Sequence, residues 1–178
     1  MSSDEQLRLF CGLRLPVEAV GKLVSWQHAS LRDGRIVPPE NLHVTLAFLG
    51  ERPASDAGTV VEALESAAAD VGAITLRARG YSETRRVGML VFDDEAGRAG
   101  KLAERLHERL ELVGLYRPEA RPWLPHVTVL RFRTRPQLAP PLPELGEVTP
   151  SDAAVFISRL RPGGARYEVL EIVSLGGR

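Results

Sequence analysis

Apolar and polar residues alternate along this chain with two different periods, and the changes of period predict a series of strands and helices. Short aliphatic and β-branched runs predict strands. These runs cover residues 7–13, 42–49, 74–81, 87–92, 127–130, 153–160 and 167–175. Apolar residues at helical spacing predict three helices, which begin at Pro16, at Ser55 or Asp56, and near Glu95. Strands and helices therefore follow one another in two comparable halves.

Proline and glycine mark where the regular elements stop. Prolines punctuate residues 133–150, which predicts a surface loop or crossover there. A turn at residues 162–164 joins the last two predicted strands. The composition does not break anywhere along the chain, so we expect a single domain over residues 1–178 with two pseudo-equivalent lobes.

Composition and charge narrow the classes of protein. The chain has 178 residues, of which 44% are hydrophobic, enough for one domain with a sizeable core. It carries 23 basic and 23 acidic residues, so any contact with nucleic acid is expected to be local. The single cysteine, Cys11, excludes an intramolecular disulfide. Residues 1–6 do not resemble an export signal and no apolar run approaches ~20 residues, so we expect a cytoplasmic protein without a membrane partner.

One four-residue pattern occurs in two of the predicted strands. It reads His-Val-Thr-Leu at 43–46 and His-Val-Thr-Val at 126–129. Side chains alternate across a strand, so the histidine and the threonine of each copy should share one face, while the apolar residues anchor the strand from behind. Two such strands side by side would present two imidazoles and two hydroxyls to one cavity. That set can bind and cleave a phosphate ester.

Histidine and threonine suit the opening of a cyclic phosphodiester by water. The reaction needs a base for the nucleophile and an acid for the departing sugar oxygen, and histidine, with a pKa near ~6.5, can take either role. His43 and His126 on opposite sides of one phosphorus would suffice without metal, so we expect no metal and no cofactor. The hydroxyls of Thr45 and Thr128 can donate hydrogen bonds to the non-bridging oxygens, which gain negative charge in the transition state.

The motifs and their flanks, residues 40–50 and 121–131, resemble those of the two-histidine phosphoesterase superfamily. Within it they are most similar to the RNA 2′,3′-cyclic phosphodiesterases, historically called 2′-5′ RNA ligases. Residues 8–10, 158–160 and 167–170 also look like that family. The resemblance implies an α+β fold with two lobes, in which two pseudo-symmetric, mainly antiparallel sheets are flanked by outer helices around a central groove.

The resemblance also assigns roles and partners. His43 is implied to give a proton to the leaving 3′ oxygen, and His126 to activate water. The implied product is a 2′-phosphomonoester, and the reverse activity would join RNA ends through a 2′-5′ bond. The expected partners are RNA ends or nucleotides that carry a 2′,3′-cyclic phosphate, and the expected state is a monomer.

For Arg131 and Phe48, strand alternation and the family resemblance predict opposite side-chain directions. Strict alternation along each strand turns both away from the histidines. The resemblance places Arg131 near the phosphate or base and Phe48 near the base, and a bulge at the strand end would reconcile the two. Phe48 as an ordinary core residue stays an equal alternative. Arg8 and Arg14 alternate with apolar residues on the first strand and could line the same groove, but solvated charges on one strand face are the ordinary explanation.

Two other classes of function remain open at this point. A metal enzyme would use the histidines as ligands, but neither motif brings a nearby acid or thiol. A non-catalytic module would bind nucleotides or RNA ends in the same cavity without turning them over. Of the remaining polar and aromatic residues, His28 and His107 are predicted to be surface or packing residues, and Tyr81 and Trp123 to lie in the core or at the rim.

Overall fold

The computed structural model describes residues 5–175, and its regular elements follow the predicted order closely. The strands are β1 (Gln6–Arg14), β2 (Arg35–Ile36), β3 (His43–Pro53), β4 (Arg77–Glu83), β5 (Val87–Asp93), β6 (His126–Arg131), β7 (Asp152–Arg161) and β8 (Gly164–Ser174). The helices are α1 (Val17–Ser30), α2 (Ala57–Ala68) and α3 (Arg98–Leu112). The strand β2 was not predicted, because two residues are too short to show a period.

The strands form one antiparallel sheet in the order β4-β5-β6-β3-β1-β7-β8, with β2 paired to β6. This confirms the α+β class and the antiparallel pairing. The two sheets expected for the lobes are continuous, however, because one residue pair, Val44 with Val127, joins β3 to β6 at the centre. Both strands leave their regular register just beyond that pair, so they diverge and the sheet curls.

The helices cover one face of the sheet and bury the main hydrophobic core against it. Each helix contributes a fully buried leucine, namely Leu23, Leu64 and Leu106. On the opposite face a second, small cluster contains Phe10, Ala154 and Phe156. Complete burial of one leucine side chain contributes about 1.5–3 kcal/mol, so the helix side supplies most of the apolar stabilisation. None of the helices within residues 5–175 is long and apolar enough to cross a membrane.

The ends of two helices differ from the prediction. Ser55 and Asp56 do not cap α2 with their side chains; a short 3₁₀ turn over Ala54–Asp56 leads into that helix instead. The helix α3 begins after Asp94, whose carboxylate accepts the backbone N–H groups of Ala99 and Gly100 at 3.2 and 2.8 Å. It ends as expected near Gly114, which adopts a φ of 74° that favours glycine.

Residues 133–150 contain no helix or strand, as their prolines predicted. Glu83 fixes the start of this segment, because its carboxylate accepts the backbone N–H groups of Gln137 and Leu138. The indole N–H of Trp26 donates to the carbonyl of Pro141 at 2.6 Å. The segment is therefore tied to the sheet and to α1 rather than extending freely from them.

Candidate active site

A groove of about 500 Å³ lies between β3 and β6, on the face of the sheet that the helices leave open. All of the site residues predicted from the sequence line it, namely His43, Thr45, Phe48, His126, Thr128 and Arg131. Three further arginines, Arg8, Arg35 and Arg161, also line the groove. No carboxylate is found among the described residues that form its wall. The groove is therefore a local concentration of positive charge in a chain of zero net charge.

The strand register at the centre of the sheet sets the two motifs against each other. Val44 pairs with Val127 in the antiparallel sense. In this register His43 lies opposite Thr128, and His126 lies opposite Thr45, all on the face away from the two valines. The arrangement has an approximate twofold relation, so each histidine has the threonine of the other motif as its neighbour across the strands.

Each motif strand shifts its register by one residue at the fourth motif position. In β3 the pairing with β1 skips Leu46, and in β6 the pairing with β5 skips Val129. Such a bulge reverses the alternation of side chains beyond it. Phe48 and Arg131, each two residues further along, consequently return to the groove face. Phe48 is 49% exposed, which excludes a position in the core.

Side chains from the helices hold both bulges in place. The imidazole Nε2–H of His107 in α3 donates to the carbonyl of Leu46 at 2.7 Å. The buried amide of Gln27 in α1 donates to the carbonyl of Val129 at 2.9 Å, and to that of Val37 at 3.1 Å. A buried carbonyl without a partner costs about 1–3 kcal/mol, so these two side chains stabilise the bulged strands.

The loop before β6 adds a third such bond, from the indole N–H of Trp123 to the carbonyl of Thr45 at 3.0 Å. From the sequence, only packing, surface or rim positions are expected for His107 and Trp123. No function is expected for Gln27 from its sequence position. Nothing local to these residues in the sequence indicates the strand carbonyls that they bind, since the contacts join distant parts of the chain.

The two histidines are oriented in the same way. Nδ1 of His43 lies 2.8 Å from the carbonyl oxygen of Asn41, and Nδ1 of His126 lies 2.9 Å from that of Leu124. A carbonyl oxygen only accepts, so Nδ1 carries the hydrogen in both rings. Nε2 is then the nitrogen left to exchange a proton with a ligand. The Asn41 side chain also donates to the carbonyl of Ala165 at 2.8 Å, which ties this end of the motif to β8.

Aromatic rings surround the imidazole of His43. The rings of Phe10 and Tyr167 lie 4.9 and 5.3 Å from it, centroid to centroid. Burial is the main cause that lowers the pKa of His43 from 6.5 to about 4; the hydrogen bond to Asn41 opposes the shift, and the charges of His126 and Arg131 add to it. In the absence of a ligand His43 is therefore neutral near pH 7. Its Nε2 then accepts the hydroxyl hydrogen of Thr45 across 2.9 Å.

The arginines on β1 have different surroundings. The guanidinium carbon of Arg8 lies 4.8 Å from the centre of the Phe48 ring, so the cation stacks on the aromatic face at the groove. Arg14, further along the same strand, does not line the groove. It donates to both carboxylate oxygens of Asp152, at 2.6 and 3.0 Å. Only Arg8 of this pair is therefore available to an anionic ligand.

The chain is similar to known proteins in both sequence and fold. A family model described as the 2′-5′ RNA ligase superfamily matches residues 15–161. The RNA 2′,3′-cyclic phosphodiesterase of Thermus thermophilus is 34% identical over 185 residues, which cover 96% of this chain and 91% of that protein. The crystal structure of TT0787 of Thermus thermophilus has a TM-score of 0.83 and 32% identity, covering 96% of this chain and 99% of that one. Escherichia coli LigT complexed with 3′-AMP has a TM-score of 0.81 and 25% identity, with coverage of 96% and 99%.

The lowered pKa of His43 predicts how stability depends on pH. Because folding lowers this pKa from 6.5 to about 4, the unfolded chain binds a proton in that range that the folded protein does not. This contribution therefore lowers the free energy of unfolding as pH falls from about 6.5 towards 4. Denaturant unfolding across this range should show a weaker pH dependence for His43→Phe than for the wild type. Titration of His43 near its ordinary pKa, followed by NMR, would contradict the assignment.

Gly12 leaves the space that the His43 ring occupies. A Cβ at position 12 would lie 3.0 Å from Cδ2 of His43 and 3.0 Å from the carbonyl oxygen of Val44. We expect Gly12→Ala to displace the imidazole, shift its NMR signals and destabilise the fold by about 1–3 kcal/mol. Gly58→Ala is the matched control, since nothing lies near that Cβ in the exposed face of α2. It should instead stabilise the protein, by about 0.5–1 kcal/mol. Equal effects of the two substitutions would show that Gly12 has no steric role.

The two side chains that bind the bulges should each position a different groove residue. His107→Leu removes the donor to Leu46 and should disturb Phe48, whereas Gln27→Leu removes the donor to Val129 and should disturb Arg131. Each change should lower the free energy of unfolding by about 1–3 kcal/mol, because it removes hydrogen bonds to buried carbonyls. His107→Leu removes the bond to Leu46. Gln27→Leu removes the bond to Val37 and one of the two to Val129, which keeps the backbone N–H of Val37. NMR shifts of Phe48 and Arg131 in the two variants test the pattern, with His28→Leu on the exposed side of α1 as the control. Identical shift changes in both variants would argue against separate supports.

Proposed function

The chain belongs to the 2′-5′ RNA ligase superfamily, and we propose that it is an RNA 2′,3′-cyclic phosphodiesterase that hydrolyses a terminal cyclic phosphate to a 2′-phosphomonoester. Three curated relatives carry that activity as their name. The observation that carries the proposal is the pair of motif histidines, which line one groove and are both held at Nδ1, leaving Nε2 for proton transfer. The likeness to a protein crystallised with 3′-AMP supports a nucleotide ligand in this groove.

His126 is the base in the proposed reaction. Its Nε2 takes a proton from water while the water oxygen attacks phosphorus. The bond from phosphorus to the 3′ oxygen breaks, and Nε2–H of His43 gives its proton to that oxygen. The 2′ oxygen keeps the phosphate. After this step His43 is neutral and His126 is protonated. A 5′-hydroxyl of a second RNA end, in place of water, would give a 2′-5′ linkage through the same steps.

The two threonines stabilise the charge that develops on the phosphate. Thr128 lies opposite His43 in the strand register, and Thr45 opposite His126, so the hydroxyls flank the same space as the rings. When His43 is neutral, Thr45 donates its hydroxyl hydrogen to Nε2 of that ring. Once His43 is protonated, Thr45 can no longer donate there, and its hydroxyl is free to donate to a phosphate oxygen. Protonation of the acid therefore prepares the hydrogen bond to the substrate.

His43 can act as the proton donor only if binding of the substrate protonates its imidazole. The ligand-free ring is neutral near pH 7, because burial lowers its pKa and neighbouring positive charges such as that of Arg131 add to this effect. A phosphodiester anion in the groove opposes those charges and favours the imidazolium, so binding raises the pKa of His43. The imidazolium of His43 therefore forms next to the leaving oxygen when the substrate is bound. In the empty site near pH 7 this imidazole is neutral.

Product analysis on a defined RNA with a 2′,3′-cyclic end tests the proposal. The expected product is the 2′-phosphomonoester, and the expected rate follows a bell-shaped pH profile that excess chelator does not change. His43→Ala and His126→Ala should each lose at least ~10²–10⁴-fold in rate, the range for general acid–base catalysis. Thr45→Ala and Thr128→Ala should lose about 1–3 kcal/mol of transition-state stabilisation.

The exposed His28 provides the matched control, because it lies on α1 outside the groove lining. His28→Ala should hydrolyse the cyclic end at the wild-type rate. A 3′-phosphate product, or wild-type turnover by His126→Ala, would overturn the assigned chemistry. Tight binding of the RNA without any hydrolysis would identify a binding module instead.

A further inference from the structure

Arg35 lies directly opposite Arg131 in neighbouring strands. The two-residue strand β2 pairs antiparallel with β6, and its register sets Arg35 against Arg131. Directly paired residues project to the same face, and like charges there are destabilising. Both residues line the groove and also a small pocket beside it. The fold therefore places two arginines side by side at one end of the groove.

Neither arginine has an acidic partner among residues 5–175. Three arginines in the outer strands of the sheet do have acidic partners. The pairs are Arg77 with Glu147, Arg79 with Asp93, and Arg159 with Glu168. An anion that pairs with Arg35 and Arg131 would therefore come from outside the described residues.

The tip of the hairpin formed by β7 and β8 orients Arg35. Nη1 of Arg35 donates to the carbonyl oxygen of Gly163 at 2.8 Å. A Cβ at Gly164 would lie 3.3 Å from the guanidinium carbon, so glycine there permits this close approach. One of the five guanidinium donors is used in holding the group. The others remain for a ligand whose oxygens accept in a forked geometry, as phosphate does.

The pair lies beyond the histidine motif along β6. Arg131 follows Thr128 by three residues, or roughly 10 Å at the ~3.3 Å rise of a strand. Because β3 and β6 are antiparallel, this is the opposite end of the groove from Phe48. Arg131 is still near enough for its charge to lower the pKa of His43. Arg35 lies on β2, the short strand paired with β6. A phosphate between the two motifs and a second phosphate at the arginines would be successive phosphates of one RNA strand.

We propose that Arg35 and Arg131 form a second anion subsite, which binds the phosphate on the 5′ side of the terminal nucleotide. The substrate is then an RNA strand of two or more nucleotides in preference to a free cyclic mononucleotide. This inference rests on the proposed function and adds the length and polarity of the substrate to it. Charge complementarity supports it, since the groove collects arginines without carboxylates in a chain of zero net charge.

The test compares three substrates that differ only on the 5′ side of the cyclic end. These are adenosine 2′,3′-cyclic phosphate, its 5′-phosphorylated form, and the dinucleotide ApA with a 2′,3′-cyclic end. The wild type should show kcat/KM roughly 10- to 100-fold higher for the two that carry a 5′ phosphate, the range expected for a charged hydrogen bond. High salt should reduce that preference.

Arg35→Gln should lose most of the preference, and Arg35→Lys, which keeps the charge without the planar fork, should retain part of it. Arg109→Gln is the control: it removes the same charge from the exposed end of α3, away from the groove, and should keep the full preference. Thermal unfolding of each variant checks that the fold is intact.

The outcomes separate this proposal from the function on which it rests. If the wild type hydrolyses none of the three substrates, the proposed function is wrong. If it hydrolyses all three equally well, or if Arg35→Gln keeps the preference, the second subsite is wrong while the function stands. If Arg35→Gln lowers all three rates by the same factor, Arg35 only anchors the hairpin, and the subsite is again wrong.

Discussion

The single antiparallel contact between Val44 and Val127 is the constraint on which the site depends. It fixes the register of the two motif strands, and that register sets each histidine against the threonine of the other motif. Because pairing does not continue beyond it, the strands separate and leave a groove in which a phosphate can lie. A longer ladder between β3 and β6 would close the groove. It would also place strand hydrogen bonds where Trp123 now binds the carbonyl of Thr45.

The site combines groups that destabilise the fold with a scaffold that tolerates them. An imidazole lies among aromatic rings, and two arginines are paired across neighbouring strands without an acidic partner among residues 5–175. The arginine pair opposes folding in the absence of an anion, the buried imidazole does so only as pH falls below about 6.5, and both favour the binding of an anion. The helix side of the sheet carries the compensating apolar core, with Leu23, Leu64 and Leu106 fully buried. The helix-covered face of the sheet thus supplies the stability, and the open face carries the site.

The sequence was sufficient for the longer strands and the helices and for the motif faces, because these depend on local periods. The alternation around His43 and His126 predicted the groove face of each motif, and the apolar stripe of α3 predicted its buried side. Phe48 and Arg131 could not be placed in this way, since their direction depends on bulges at Leu46 and Val129. Donors from the helices support those bulges, His107 from α3 and Gln27 from α1, and neither contact leaves a local trace in the sequence. The role of Arg35 was also hidden, because it arises only when β2 pairs with β6.

The most direct test of the central claim, that His43 acts as acid and His126 as base on one phosphorus, uses a substrate that needs no acid. In an RNA end whose bridging 3′ oxygen is replaced by sulfur, the leaving thiolate has a pKa near ~8.5 and departs without a proton. The rates of His43→Ala and His126→Ala are measured on the oxygen and the sulfur substrates. The account predicts that sulfur restores His43→Ala close to the wild-type rate and leaves His126→Ala impaired. Equal impairment of His43→Ala on both substrates, or recovery of His126→Ala alone, would contradict it.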